Sequence, residues 1–191
     1  MQVFEPDTPM IADLINQWDP ILHTECIPFD FETGYTLEDG RILMGEDVFK
    51  ILRDSMCAHR GIGLSACQIG LPIRVFVMGN PDDPSSVIPV FNPMIVSSSE
   101  ELHEIEEGCL SFPGLFIKIK RPEMIRARFA NTSGVIDSAT FTGLSAHVFQ
   151  HEFDHLYGMV FTRRAHWKDL DKARMQQKKL NRQKKRNAQN K

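Results

Sequence analysis

The sequence predicts an α+β fold, and three observations carry that expectation. Strand-like runs between residues 73 and 129 mostly precede one strongly helical stretch at residues 143–157. The regular strand–helix alternation of a doubly wound sheet is missing. A chain of 191 residues with 42% apolar content is long enough for one core and a tail.

The elements follow in order. Residues 1–40 show little periodicity, and Pro6, Pro9, Pro20 and Pro28 break any long helix there. Residues 46–60 read as a helix, because Val48, Leu52 and Met56 recur every four positions. Gly61 is the expected helix stop. Residues 73–78 read as a buried strand, and residues 80–86 as a Pro- and Asp-rich loop. A strand over residues 87–96 is interrupted by Pro89 and Pro93. Residues 115–120 and 123–129 alternate apolar and polar side chains, the pattern of strands with one exposed face. The helix at residues 143–157 has Thr142 as N-cap and Gly158 as its end. Leu144, Val148, His151 and His155 share one face of it, while Phe149, Phe153 and Leu156 supply apolar contacts elsewhere. A last helix is expected from about Lys168 into the tail.

Charge divides the chain. Residues 163–191 carry twelve Lys or Arg against two acids, and residues 1–162 carry ten against twenty-three. An acidic body with a basic arm suits a polyanionic partner. The arm holds no aromatic residue after Trp167, so phosphate contact is expected rather than base stacking. Cys26, Cys57, Cys67 and Cys109 show no paired spacing, and no secretory signal or long apolar run is present. Free thiols in a reducing cytoplasm, and no membrane, are the expectation.

The chemistry starts at Gln150-His-Glu-Phe-Asp-His-Leu-Tyr-Gly158. On a helix, His151 and His155 lie on one face, about one turn apart, and two imidazoles so placed grip one divalent metal. Glu152 beside them suits a general base for metal-assisted hydrolysis. The extended HExxHxxGxxH form is excluded, because Phe161 stands where its third His belongs. No Glu follows Glu152, which removes the downstream-Glu zinc proteases. His166, Asp169 and Asp171 remain conceivable third ligands, but an upstream one fits better. Cys109, in Glu107-Gly-Cys-Leu-Ser111, is either such a ligand or a buried inert thiol. His147, His151 and His155 form a third possible set, but they string over about 12 Å of helix, too far for one ion. The close glycines of Gly61-Ile-Gly-Leu-Ser-Ala-Cys-Gln68 permit close backbone approach to a ligand, and Gln68 offers a neutral amide donor.

Taken in order, GIGLSACQ, EGCLS and QHEFDHLYG resemble the three signature motifs of the peptide deformylases, approximately GxGxAAxQ, EGCLS and QHExDHL. The first departs once, with Ser65 where the family usually has Ala; the change is sterically mild if the hydroxyl finds a partner. Asn92-Pro93 and Lys120-Arg-Pro122 extend the resemblance to about residues 15–165.

The resemblance implies a bacterial-type deformylase fold: mostly antiparallel strands around a central HExxH helix, with a catalytic domain over residues 1–165 and a basic C-terminal helical extension over 166–191. It implies removal of the N-formyl group from nascent peptides that begin with formyl-methionine, in the cytoplasm of a bacterium or of a bacterium infected by a virus. By position, Cys109, His151 and His155 match the metal ligands and Glu152 the general base and acid. Gln68 and the Leu110 amide match the groups that hold the formyl oxygen. Ile62, Gly63 and Gly108 match positions flanking the peptide. Ile62, Ile105, Leu144 and Val148 match the methionine pocket, with His147 at its rim. The implied metal is Fe2+, replaceable by Zn2+, Ni2+ or Co2+, although a Cys-His-His-water set alone suggests zinc. The basic arm resembles the family's ribosome-docking extension in composition and place.

Overall fold

The computed structural model describes residues 9–189; Pro6, the first expected helix breaker, and the end of the basic arm lie outside them. A two-stranded ribbon, β1 (Tyr35–Thr36) and β2 (Ile42–Leu43), leads into helix α1 (Gly45–Ala58). Strands β3 (Gly63–Ser65), β4 (Val75–Met78), β5 (Ile88–Ser98), β6 (Leu102–Gly108), β7 (Phe116–Pro122), β8 (Met124–Ala130) and β9 (Ile136–Thr142) follow. Helix α2 (Gly143–Leu156) and helix α3 (Trp167–Gln189) complete the chain. The fold is the α+β arrangement that the strand-then-helix order predicts.

Five strands form one antiparallel sheet in the order β3-β4-β5-β8-β9, and β6 and β7 form a separate hairpin. β4 is buried along its whole length because helices cover both faces. Val75 and Val77 pack in the cluster that holds Val48, Leu52 and Met56 of α1. Phe76 and Met78, on the opposite face by the two-residue period of a strand, pack with Phe149 of α2. Phe76 and Phe149 meet edge to face, with ring centroids 5.0 Å apart. A third cluster, with Leu22, Ile117, Ile119 and Phe161, fills the space under the hairpin. The cluster of Phe76 and Phe149 packs α2 on the sheet, and the other side of α2 meets β6 and β7 of the hairpin.

Some local expectations need correction. The stop of α1 is made by Arg60, whose φ is +56°, and not by Gly61. The Gly61 amide bonds Met56 O at 2.9 Å and the Arg60 amide bonds Cys57 O at 3.0 Å, the two bonds of a Schellman ending. Gly61 matters for space instead, since a Cβ there would come within 2.7 Å of Leu110 Cδ1. Thr142 is the N-cap of α2, but Ser145 makes the bonds: its hydroxyl lies 3.3 Å from Thr142 N and 2.8 Å from Thr142 O. Gly158 ends α2 with φ +66°, where a Cβ would strike the backbone of His23 at 2.7 Å. β5 is one strand that passes Pro89 without a break, but its pairing with β8 shifts register between Phe91 and Met94, where Pro93 lies, and again between Ile95 and Ser97.

Candidate active site

The cleft lies between the edge strand β3, the β6–β7 hairpin and α2. It encloses about 480 Å³, and its walls include Ile62, Gly63, Gln68, Ile105, Gly108, Cys109, Leu110, Leu144, His147, Val148, His151 and Glu152. Three segments far apart in sequence therefore meet at one place. Gly61 and Glu107, inside the quoted motifs, complete the walls together with Arg60, Glu106, Pro113, Gly114 and Phe116, to which the sequence reading gives no role at the site. A Cβ on Gly108 would approach Phe116 Cε1 to 2.6 Å, so this glycine is what lets the Phe116 ring lie against β6.

At the closed end, one donor atom each from Cys109, His151 and His155 lies within 4.8 Å of the others, the only such group of metal-binding side chains among the described residues. Cys109 Sγ and His155 Nε2 are 3.4 Å apart. Tetrahedral bonds of about 2.3 Å to sulfur and about 2.0 Å to nitrogen span about that separation, so the donors fit one divalent ion. Sulfur with two imidazoles suits Zn2+, Fe2+ or Co2+ better than a hard cation such as Mg2+. His166 and Asp169 lie outside the group, 60% exposed each and 4.0 Å from one another. Phe161, where the extended protease motif has a ligand, packs its ring on His151 with centroids 5.7 Å apart.

A neighbouring carboxylate explains the orientation of His151. His151 Nδ1 is 2.7 Å from Glu107 Oε2, which leaves Nε2 for the donor group. His147 Nε2 is 2.7 Å from Glu107 Oε1, at an angle poor for a hydrogen bond. His147 thus faces the carboxylate that orients His151 rather than joining the ligand set. Arg121 Nη2 donates to Glu107 Oε2 at 3.1 Å and Nη1 to Asp154 Oδ2 at 2.7 Å, and Arg164 also pairs with Asp154. Arg121 is 1% exposed, so two carboxylates must balance its charge. Burial alone would raise the Glu107 carboxyl, but His147, His151 and Arg121 outweigh it and hold it well below the usual carboxylate range. Burial likewise opposes charge on His151, yet Cys109 and Glu107 push its imidazole up to about 10. A proton on that ring competes with a metal ion for its nitrogen, so metal binding here releases a proton.

This network is what the sequence reading missed. Glu107 and Asp154 stand inside the quoted motifs and Arg121 inside Lys120-Arg-Pro122, but charge alone does not reveal burial.

Glu152 is 4% exposed and its carboxyl is raised above the ordinary range, chiefly by burial. Ser65 Oγ donates to its Oε2 at 2.7 Å, so the departure from the family pattern has its partner. The Gln68 amide is fixed at both ends: Oε1 accepts from Ser65 N at 2.9 Å, and Nε2 faces Cys109 Sγ at 3.4 Å and Ser111 Oγ at 3.3 Å. Gathered here are a metal-binding group, a buried carboxylate, an amide and an apolar cleft, the parts needed to hydrolyse an amide.

The polypeptide deformylase family profile matches residues 11–171. The peptide deformylase of Novosphingobium aromaticivorans is 34% identical over 173 residues, covering 79% of this chain and 87% of that protein. That of Thermotoga petrophila is 41% identical over 115 residues, covering 60% and 68%. The match to the Thermotoga maritima enzyme, at 42% identity, spans 63% of that enzyme. Among solved structures, a peptide deformylase from Legionella pneumophila superposes with a TM-score of 0.77 at 30% identity, covering 92% of this chain and 98% of that one. Deformylation of N-formyl-methionine on nascent peptides is what this family does. By its matched length, its relatives and its fold, the chain belongs to the polypeptide deformylase family.

Proposed function

We propose that this protein removes the formyl group from nascent peptides that begin with formyl-methionine, releasing formate. The observation that carries this reading is the convergence of Cys109, His151 and His155 with Glu152 at the end of an apolar cleft. Cys109, His151 and His155 would hold a divalent cation, Fe2+ by family resemblance, which would supply Lewis acidity when bound. Glu152 takes a proton from the attacking water and returns it to the leaving amine. Gln68 gives one N–H to the formyl oxygen in exchange for its contact with Ser111, and the Leu110 amide gives another. Gly63 and Gly108 leave room for a peptide backbone, while Ile62, Ile105, Leu144 and Val148 accept the methionine side chain, with His147 buried in the wall beside Glu107 rather than at the rim. Mass spectrometry tests the reaction. A formyl-methionyl peptide loses its formyl group and keeps every internal bond; internal cleavage supports a metalloprotease instead.

The four cysteines are free, and no helix among the described residues is long and apolar enough to cross a membrane. Free thiols and nascent-chain substrates favour the cytoplasm. We read residues 1–165 as the catalytic unit and residues 166–191 as an extension that meets the ribosome. On α3, Lys178, Lys179, Arg182 and Arg186 share one groove with Met175 and Gln183. Changing these four basic residues to Ser lowers the salt slope of ribosome binding by about 3. Turnover of a short peptide is unchanged. Co-sedimentation across a salt series and steady-state kinetics check both halves.

A further inference from the structure

Ser65 closes β3 with a hydroxyl that is fully buried. Its Oγ reaches two acceptors of one residue, Glu152 Oε2 at 2.7 Å and Glu152 O at 3.1 Å. The hydroxyl has one proton to give, and the carboxylate oxygen is the nearer of the two acceptors. The other carboxylate oxygen, Oε1, lies over Gly63, where a built Cβ would come within 2.6 Å of it. Both Gly63 and Glu152 line the cleft. The last torsion of a Glu side chain is broad and nearly two-fold, so packing alone fixes it weakly. A single strong donor to one oxygen breaks that symmetry.

We propose that Ser65 is a positioning residue for Glu152: by holding Oε2 it keeps Oε1 turned toward the reacting group. The inference rests on the reading of Glu152 as the proton carrier. Ala, usual at this position in the family, has no donor to offer, so a chain with Ala must orient its Glu by other contacts. In this chain the hydroxyl does that work and has no solvent to turn to. Ser65 also gives its backbone N–H to Gln68 Oε1 at 2.9 Å, so one residue braces the carboxylate and the amide on the two sides of the cleft end. Only the first of these contacts depends on the side chain, which makes it separable by mutation.

The test compares wild type, Ser65→Ala, Glu152→Asp and the double variant on a formyl-methionyl tripeptide. Melting temperature and metal content serve as checks of integrity, and crystal structures of wild type and Ser65→Ala give a readout independent of turnover. Ser65→Ala keeps KM within about twofold and loses about tenfold in kcat, the range expected when a reacting group is loosely placed. In the Glu152→Asp background, where the shorter carboxylate no longer reaches Ser65, the second change costs nothing more. The crystals show the Glu152 carboxylate turned or in two orientations. A kcat within twofold of wild type, an equal loss in both backgrounds, or an unmoved carboxylate overturns the proposal. A wild type that releases no formate overturns the deformylase reading instead, and the crystals alone then decide whether Ser65 orients Glu152.

Discussion

Replacing Glu152 by Gln lowers kcat for formate release by about 10³-fold and leaves the bound metal in place. Gln keeps the volume of the side chain and still offers an oxygen to the Ser65 hydroxyl, whose partner is Glu152 Oε2 at 2.7 Å. Cavity formation therefore contributes little to the loss. What disappears is the capacity to take and return a proton, which is worth about 10² to 10⁴ in rate. Glu152 is not one of the three grouped donors, Cys109, His151 and His155, so metal content stays near that of wild type. Steady-state kinetics with metal analysis on one preparation separates the two effects. A variant that retains a tenth of wild-type turnover contradicts the role given to this carboxylate.

Removal of Glu107 has the largest expected effect on stability. Its carboxylate meets His147, His151 and Arg121 at once, and Arg121 is 1% exposed. Glu107→Ala leaves Arg121 with Asp154 alone, and Asp154 is already shared with Arg164. An uncompensated buried charge of this kind costs about 3 to 5 kcal/mol. The same change frees the His151 ring to turn and places excess positive charge next to the donor group, so metal affinity falls about 10- to 100-fold. Glu107→Leu combined with Arg121→Met removes both charges and recovers part of the stability without recovering metal affinity. Urea denaturation and competitive metal titration check the two outcomes. Equal stability of Glu107→Ala and wild type contradicts a charge-balanced network.

Much of this fold is legible in the sequence, for reasons that particular elements make plain. Val48, Leu52 and Met56 mark α1 because one apolar stripe faces the sheet, and all three are fully buried. β7 and β8 alternate because each has one wet face. β3 escapes a periodicity reading: it is three residues long and buried on both sides, so it shows no alternation. β6 escapes it for the opposite reason, since almost every side chain of Leu102–Gly108 except Glu107 is at least partly exposed. β9 is an edge strand with no fully buried position.

The site divides in the same way. Spacing alone pairs His151 with His155, because one helical turn joins them. Cys109 and Gln68 join the pair through the packing of the hairpin and β3 on α2, which no local pattern encodes. Motif resemblance names them in advance; their physical reason appears only in the fold. Glu107, Arg121 and Asp154 are less legible still, since a buried ion network reads in sequence like any run of surface charge. Ser65 lies between these cases: the departure is visible in the motif, and its partner is not.

Formate release is expected to depend on one metal ion held by Cys109, His151 and His155. The most direct test strips the protein with a chelator under anaerobic conditions, then titrates Fe2+, and Zn2+ in parallel, while formate release from a formyl-methionyl tripeptide is followed. The stripped protein is expected to release no formate, release to rise and saturate at one ion per chain, and Cys109→Ser to recover little or nothing. Full formate release from the stripped protein, or full recovery in Cys109→Ser, would contradict that dependence.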